Sequence, residues 1–204
     1  MYEKFFKRFI DIMLSLIAFP FVILVIVIMA PIIYINDPGP IFYNAPRRGR
    51  KGENFKMMKL RSMYVNSPDI RNSDGSTFNS GDDPRVTKIG RFMRKMSIDE
   101  IPQLLNVLKG EMSFIGPRPV LVSIPYEKLT GNAKKRLDVK PGITGYSQAY
   151  YRNSIGLEEK YKYDCYYVDN ISFLMDCKII LKTIQSVIKS ENIYVVSDKN
   201  LEEM

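Results

Sequence analysis

Residues 12–36 carry no charged side chain, and this apolar run of 25 residues restricts what the chain can fold into more than any other feature. A bilayer core is crossed by about 20 apolar residues in a helix, so the run is long enough to span one. A secretory signal peptide has an apolar core of roughly 7–15 residues and a small-residue cleavage site. This run is longer, and Pro31 follows Ala30 where cleavage would fall. A simple transmembrane helix is the competing reading, and two features count against it. Pro20 stands near the middle, where its missing N–H removes one helical hydrogen bond and its ring crowds the carbonyl four residues back, so the sequence predicts a kink or break there. From Asp11 to Pro20 a helix rises only about 14 Å, roughly half the hydrocarbon core. Basic residues flank both ends, with Lys4, Lys7 and Arg8 before the run and Arg47, Arg48, Arg50 and Lys51 after it. The positive-inside rule then favours neither direction of crossing. The expectation is a re-entrant segment with both ends on the cytoplasmic side, opened by an interfacial piece in which Phe5, Phe6, Phe9 and Ile10 sit among the first cations.

With 204 residues, 46% of them apolar, the chain can build one compact unit plus an appended element. It contains no histidine, which excludes Ser-His-Asp and Cys-His nucleophiles, His-ligated zinc and imidazole acid/base chemistry. Any catalysis has to run on carboxylates, Lys, Arg, Tyr or a hard metal ion. Cys165 and Cys177 are too few for a four-thiolate zinc site and read as reduced thiols in a cytosolic setting. A formal charge of +8 implies an acidic partner, whether nucleic acid, anionic headgroups or phosphorylated substrates.

After the turn-rich Asp37-Pro38-Gly39-Pro40, residues 41–43 and 55–60 read as two short strands around the basic loop Arg47-Arg48-Gly49-Arg50-Lys51-Gly52. That tip is either a solvated loop beside anionic lipid or a phosphate binder. Residues 66–83, rich in Ser, Asn, Asp and Gly, read as a mobile loop. Val86, Ile89, Met93 and Met96 recur at helical spacing between cations, which predicts an amphipathic basic helix over 85–96. A second helix runs through Leu104, Leu105 and Leu108 and closes at Lys109-Gly110. Two more are predicted over 158–167 and 173–190, and Lys178, Lys182 and Lys189 around an apolar face give the last one the pattern of a membrane-surface helix.

Ser97-Ile98-Asp99-Glu100 fits a capping box, which is the bland reading of those residues. Pro102 weakens it, because its missing N–H falls where the carbonyl of Ile98 needs a donor, so the helix is expected to begin nearer Asp99 and to leave the acidic pair at its mouth. Adjacent carboxylates there, preceded by Arg91, Arg94 and Lys95, can hold a divalent cation among phosphates or attack phosphorus. Gly116-Pro117-Arg118-Pro119 and Lys140-Pro141-Gly142-Ile143-Thr144-Gly145 are stiff turns, and an arginine clamped between prolines suits a phosphate grip. There is no GxxxxGK[ST] and no GxGxxG.

Lys59-Leu60-Arg61-Ser62-Met63, the long block from Ser97 to Gly110 and Ser113-Phe114-Ile115-Gly116-Pro117-Arg118-Pro119 resemble the bacterial sugar transferases, small monotopic phosphoglycosyl transferases. Residues 140–145 and 164–178 match as well, and the resemblance runs to about residue 190. It implies a mostly helical α+β monotopic membrane protein, with an N-terminal re-entrant helix broken at Pro20, a small β-hairpin and amphipathic interfacial helices. Residues 1–37 would be the membrane element, 38–190 the cytosolic catalytic domain and 191–204 a tail. By resemblance, Asp99 is the nucleophile that attacks the β-phosphate of a UDP-sugar and expels UMP, forming an aspartyl phospho-sugar that polyprenol (undecaprenyl) phosphate then takes up. Glu100 is the neighbouring acid/base, Asp99 and Glu100 hold Mg2+, and Lys59, Arg94, Arg118 and Arg152 surround phosphate and nucleotide. Pro119, Asp164 and Asp176 in the matching blocks complete the implied site.

The setting implied is the cytoplasmic face of the bacterial inner membrane, among its phospholipids, at the first membrane step of capsule, exopolysaccharide, O-antigen or glycoprotein assembly, with a homo-oligomer left open. The chain departs from the family pattern at Phe19-Pro20, where Ser-Pro is usual, and at Tyr150-Tyr151-Arg152-Asn153, where Asn-Gly-Arg-Asn is usual. The two tyrosines are expected to reshape the sugar pocket. A non-catalytic membrane module would explain the charge and the apolar run but not an Asp-Glu pair beside a Pro-Arg-Pro turn. Nucleic acid is excluded as partner, since the cations adjoin an apolar anchor and no nucleic-acid motif is present.

Overall fold

The computed structural model describes residues 2–70, 78, 80–123 and 125–189. The expected tail over 191–204 and much of the 66–83 loop lie outside the described residues. The apolar run forms one helix, α1 (Lys7–Asn36), entered through a π-helical turn at Tyr2–Phe6. The chain does not leave the helix at Pro20, where a kink or break was expected: the helix continues through both Pro20 and Pro31, and a proline inside a continuous helix can bend it without ending it. Each proline forfeits one bond of the ladder, and the remaining bonds carry an otherwise regular apolar helix past it. Asp11, Ser15, Val22, Met29 and Ile33 are buried at steps of four and seven that keep them on one face. Phe9, Ile17, Phe21, Leu24, Val27 and Ile35 stay exposed.

Both ends of α1 grip the same globular unit. At its start, Lys7 Nζ lies 2.6 Å from Asp176, and Arg8 donates to the carbonyls of Val107 and Leu108 at 2.6 and 2.9 Å. Asp11 accepts from Ser113 Oγ and the Phe114 amide at 3.1 and 3.0 Å. At the far end, Arg61 pairs with Asp37, and its Nε donates to the Pro40 carbonyl at 2.6 Å. Met29 and Ile33 pack there with Leu60 and Met93.

The hairpin follows as β1 (Phe42–Arg48) and β2 (Asn54–Leu60), antiparallel, with Phe42 opposite Leu60 and Arg48 opposite Asn54. Its first strand is longer than the sequence implied and absorbs Arg47 and the buried Arg48, which leaves Arg50 and Lys51 at the tip. Helix α2 (Lys88–Lys95) starts later than expected, because Thr87 caps it by accepting from the Gly90 amide at 2.9 Å. A 3-10 turn at Ile98–Glu100 leads into α3 (Gln103–Lys109), which Gly110 closes with φ 86°. The acidic pair thus sits one turn before the α-helix rather than at its mouth. Pro102 takes the capping position, where a residue without an N–H costs no helical bond.

The remaining elements are β3 (Ser113–Ile115), β4 (Val120–Leu121), α4 (Gly131–Lys135), β5 (Gly142–Thr144), α5 (Tyr146–Tyr150), α6 (Leu157–Asp169) and α7 (Phe173–Ile188). One sheet runs β2-β1-β4, and β3 pairs in parallel with β5, so the fold mixes helix and sheet as expected. Phe55, Met57, Val107 and Met112 form one core cluster, and Ile115, Ala149, Tyr167 and Ile179 form another.

Candidate active site

The two stiff turns seen in the sequence clasp each other. The Gly116 amide donates to the Thr144 carbonyl at 2.9 Å, and the Gly142 amide donates to the Pro117 carbonyl at 3.0 Å. A Cβ on Gly142 would stand 2.1 Å from the Gly116 nitrogen, so only glycine lets these backbones meet. With Pro117 and Pro119 on either side, Arg118 projects from a rigid base.

Opposite it, Ser97 adopts a left-handed conformation, φ 56°, and makes no capping bond, so the capping box is not formed. Such a conformation costs a residue bearing a Cβ about 1–2 kcal/mol, and strain of this kind concentrates where a turn must present functional groups. The 3-10 turn beyond it presents Asp99 and Glu100. Glu100 Oε1 accepts from Lys59 Nζ at 2.5 Å and from Arg118 Nη2 at 3.0 Å. Burial would push the Glu100 carboxyl up, but Lys59 and Arg118 overcome it and hold it well below the usual carboxylate range. Asp99 is only 7% exposed. Burial, with the Glu100 charge beside it, raises its pKa against the pull of Lys59, Arg94 and Arg118. Among the described residues no hydrogen bond reaches either Asp99 oxygen or Glu100 Oε2.

A cleft of about 1110 Å³ is lined by Lys59, Arg94, Asp99, Glu100, Arg118 and Arg152, so the structure gathers the six residues that the sequence analysis selected first. Arg94 Nε donates to Ser62 Oγ at 2.9 Å. Arg152, at φ 50°, has its pKa lowered by burial, with Glu100 opposing the shift. Pro119 and Asp164 line the same cleft. Asp176 does not: it accepts from Tyr2 and Tyr167 at 2.7 and 2.8 Å and pairs with Lys7, which makes it an anchor for the start of α1. Nor do Tyr150 and Tyr151 line it. They stack on Tyr146 and Tyr163, with ring centroids 4.6 and 4.3 Å apart, beside Ala149, Arg152 and Asn153, which do line it. Ser62, Ser147 and Arg136, which no sequence signal singles out as site residues, also line the cleft. Arg136 follows two lysines and looks like solvated charge, and only the fold turns it inward, to 3% exposure.

The bacterial sugar transferase family model matches residues 2–190. The chain belongs to the bacterial sugar transferase family. As a sugar transferase it is 40% identical over 188 residues to an uncharacterized sugar transferase, EpsL, of Bacillus subtilis, covering 92% of this chain and 89% of that protein. It is 36% identical over 209 residues to the undecaprenyl-phosphate galactose phosphotransferase of Salmonella typhimurium, covering 94% of this chain and 42% of that protein. It is 35% identical over 189 residues to the UDP-N-acetylgalactosamine-undecaprenyl-phosphate N-acetylgalactosaminephosphotransferase of Aeromonas hydrophila, covering 90% and 44%. The chain therefore spans most of one relative and less than half of the other two.

Proposed function

We propose that this sugar transferase moves a sugar-1-phosphate from a UDP-sugar to undecaprenyl phosphate or a similar polyprenol phosphate, through a covalent intermediate on Asp99. The names of the Salmonella and Aeromonas relatives support the donor class and the lipid acceptor. The observation that carries the reading is the pairing of unlike carboxylates in one cleft. Glu100 is held ionised by two cations, while Asp99 is buried with both oxygens free of hydrogen bonds among the described residues. A carboxylate that faces the cleft with cations nearby, but is not tied up by hydrogen bonds, is apt as a nucleophile.

In the first step Asp99 Oδ attacks the β-phosphorus. The bond from that phosphorus to the bridging oxygen breaks, UMP leaves with the electron pair, and the sugar phosphate stays on Asp99 as an acyl phosphate. A phosphate oxygen of the lipid then attacks the same phosphorus and Asp99 departs as a carboxylate. Charge develops on phosphate oxygens throughout, where Lys59, Arg118 and Arg152 stabilise it most. The donor set also suits Mg2+, because the free oxygens are hard carboxylate ligands and this ion binds one or two carboxylates together with substrate phosphates. Among the described residues no three acidic or thiol side chains gather, so such an ion would share the donor's oxygens. Bound there it would offset the charge of the diphosphate.

The acceptor arrives from the bilayer. The cleft includes Pro40, Phe42, Tyr43 and Leu60, next to the exit of α1, which gives an isoprenoid an apolar approach. We place both ends of α1 at the cytoplasmic face as a re-entrant anchor, with residues 38–190 as the catalytic domain. What supports this is that Arg8 and Asp11 at one end and Asp37 at the other all bond to that one domain. The test is UMP release from a panel of UDP-sugars in detergent, with undecaprenyl phosphate and Mg2+ present. Release with at least one donor is expected, and none with any donor would overturn the reading.

A further inference from the structure

Asp164 and Arg136 are 1% and 3% exposed and form an ion pair. Asp164 Oδ1 also accepts from Ser147 Oγ at 2.6 Å, and the Arg136 guanidinium lies 4.6 Å from the centre of the Tyr161 ring. The same Arg136 Nη2 that meets Asp164 donates to the Arg118 carbonyl at 2.8 Å. Arg118 in turn reaches Glu100 at 3.0 Å while its side chain stays 49% exposed. A chain of contacts thus runs from Ser147 in α5 through Asp164 in α6 to Arg136 in the turn after α4, and Arg136 alone reaches the Arg118 backbone oxygen in the catalytic cleft.

That oxygen is a natural handle. Pro117 and Pro119 have no N–H, so the carbonyl is the one strong hydrogen-bonding group of the 118–119 peptide. Holding it fixes the plane from which the Arg118 side chain leaves. A buried ion pair stabilises a fold less well than apolar residues of similar volume, so its presence here calls for a geometric role.

We propose that Arg136, oriented by Asp164, is a positioning residue that sets where the Arg118 guanidinium meets the donor's phosphates. The inference rests on the proposed phosphoglycosyl transfer and adds to it residues that do not touch the reacting atoms.

A double-mutant cycle on the full-length protein in detergent tests it. KM and kcat for an active UDP-sugar, and the affinity for UMP by calorimetry, are measured for wild type, Arg118→Ala, Arg136→Lys and the double variant. Lysine keeps a charge beside Asp164 but its ammonium ends short of the position of Nη2, the one nitrogen that meets both acceptors. Arg136→Lys is expected to raise KM and to weaken UMP binding roughly tenfold, as a small misplacement of a binding group does. In the Arg118→Ala background the same change should add less than about twofold, because the two act through one contact. Equal losses in both backgrounds would show that the pair only supports the fold and would overturn the proposal. If Arg136→Lys does not fold, Ser147→Ala, which removes one bond to Asp164 and spares the ion pair, carries the same comparison. UMP binding is read without turnover, so failure of the transfer reading shows separately, as absent UMP release by wild type. Unchanged KM and UMP affinity in Arg118→Ala would overturn the role given to Arg118 and this inference with it.

Discussion

Asp99 is 7% exposed, and burial makes its charge costly in the folded protein. Its pKa is raised by burial first and by Glu100 second. The folded protein therefore holds this proton more tightly than the unfolded chain, and the residue's contribution to stability falls as pH rises past the ordinary carboxylate value of about 4. Asparagine cannot ionise, so Asp99→Asn should unfold at pH 7 at a temperature equal to or above that of wild type, by circular dichroism, while UMP release falls by orders of magnitude. Loss of a mere helix cap would instead lower stability by about 0.5–2 kcal/mol and spare turnover. The same raised pKa shapes the pH profile. The nucleophile has to be ionised, so kcat/KM, which reports the free enzyme, should fall with decreasing pH on an acid limb above about pH 4. An acid limb at or below that value would contradict the assignment.

Elements tie the site to the membrane segment. Arg8 of α1 donates to the last carbonyls of α3, the helix that begins just after the acidic pair. Charged donors at a helix C-terminus satisfy orphan carbonyls and oppose the helix dipole. Arg8→Ala is expected to lower stability by about 1–3 kcal/mol in denaturant unfolding, and no change would mean that α1 does not brace α3. Much of this level was legible in sequence. The hairpin, α2, the Gly110 cap, α6 and α7 all follow from local periodicity and turn chemistry. What was not legible is non-local. The β3–β5 pairing and the clasp of Gly116 on Gly142 join residues far apart in the chain. The continuity of α1 through Pro20 depends on the rest of a long ladder, and the inward turn of Arg136 on a partner in α6. Tyr150 and Tyr151 were expected at the sugar pocket, yet they stack on Tyr146 and Tyr163. Changing both to Asn-Gly should accordingly lower the unfolding temperature, since aromatic pairs contribute about 0.5–1.5 kcal/mol each. Relative rates among UDP-sugars should change little, and a switch in donor preference with unchanged stability would restore the pocket role.

At the scale of the whole molecule, α1 and α7 both expose apolar side chains, and on α7 Phe173, Leu174, Leu181, Ile184 and Ile188 are exposed on a helix that also carries Lys178 and Lys182. The proposed re-entrant placement of α1, whose two ends are bonded to one domain, can be tested by labelling. A cysteine at position 2, with Cys165 and Cys177 changed to serine, should stay unlabelled by an impermeant reagent in intact cells and react after permeabilisation. Labelling from outside would make α1 a span. The central claim is covalent transfer through Asp99, and intact mass spectrometry tests it most directly. Wild-type protein is mixed with Mg2+ and UDP-galactose or UDP-N-acetylgalactosamine, without lipid acceptor, and quenched rapidly in acid. The expected result is a mass gain of one phospho-sugar that maps to Asp99, disappears on adding undecaprenyl phosphate and is absent from Asp99→Asn. An adduct on another residue, or near-normal turnover by the asparagine variant, would contradict it.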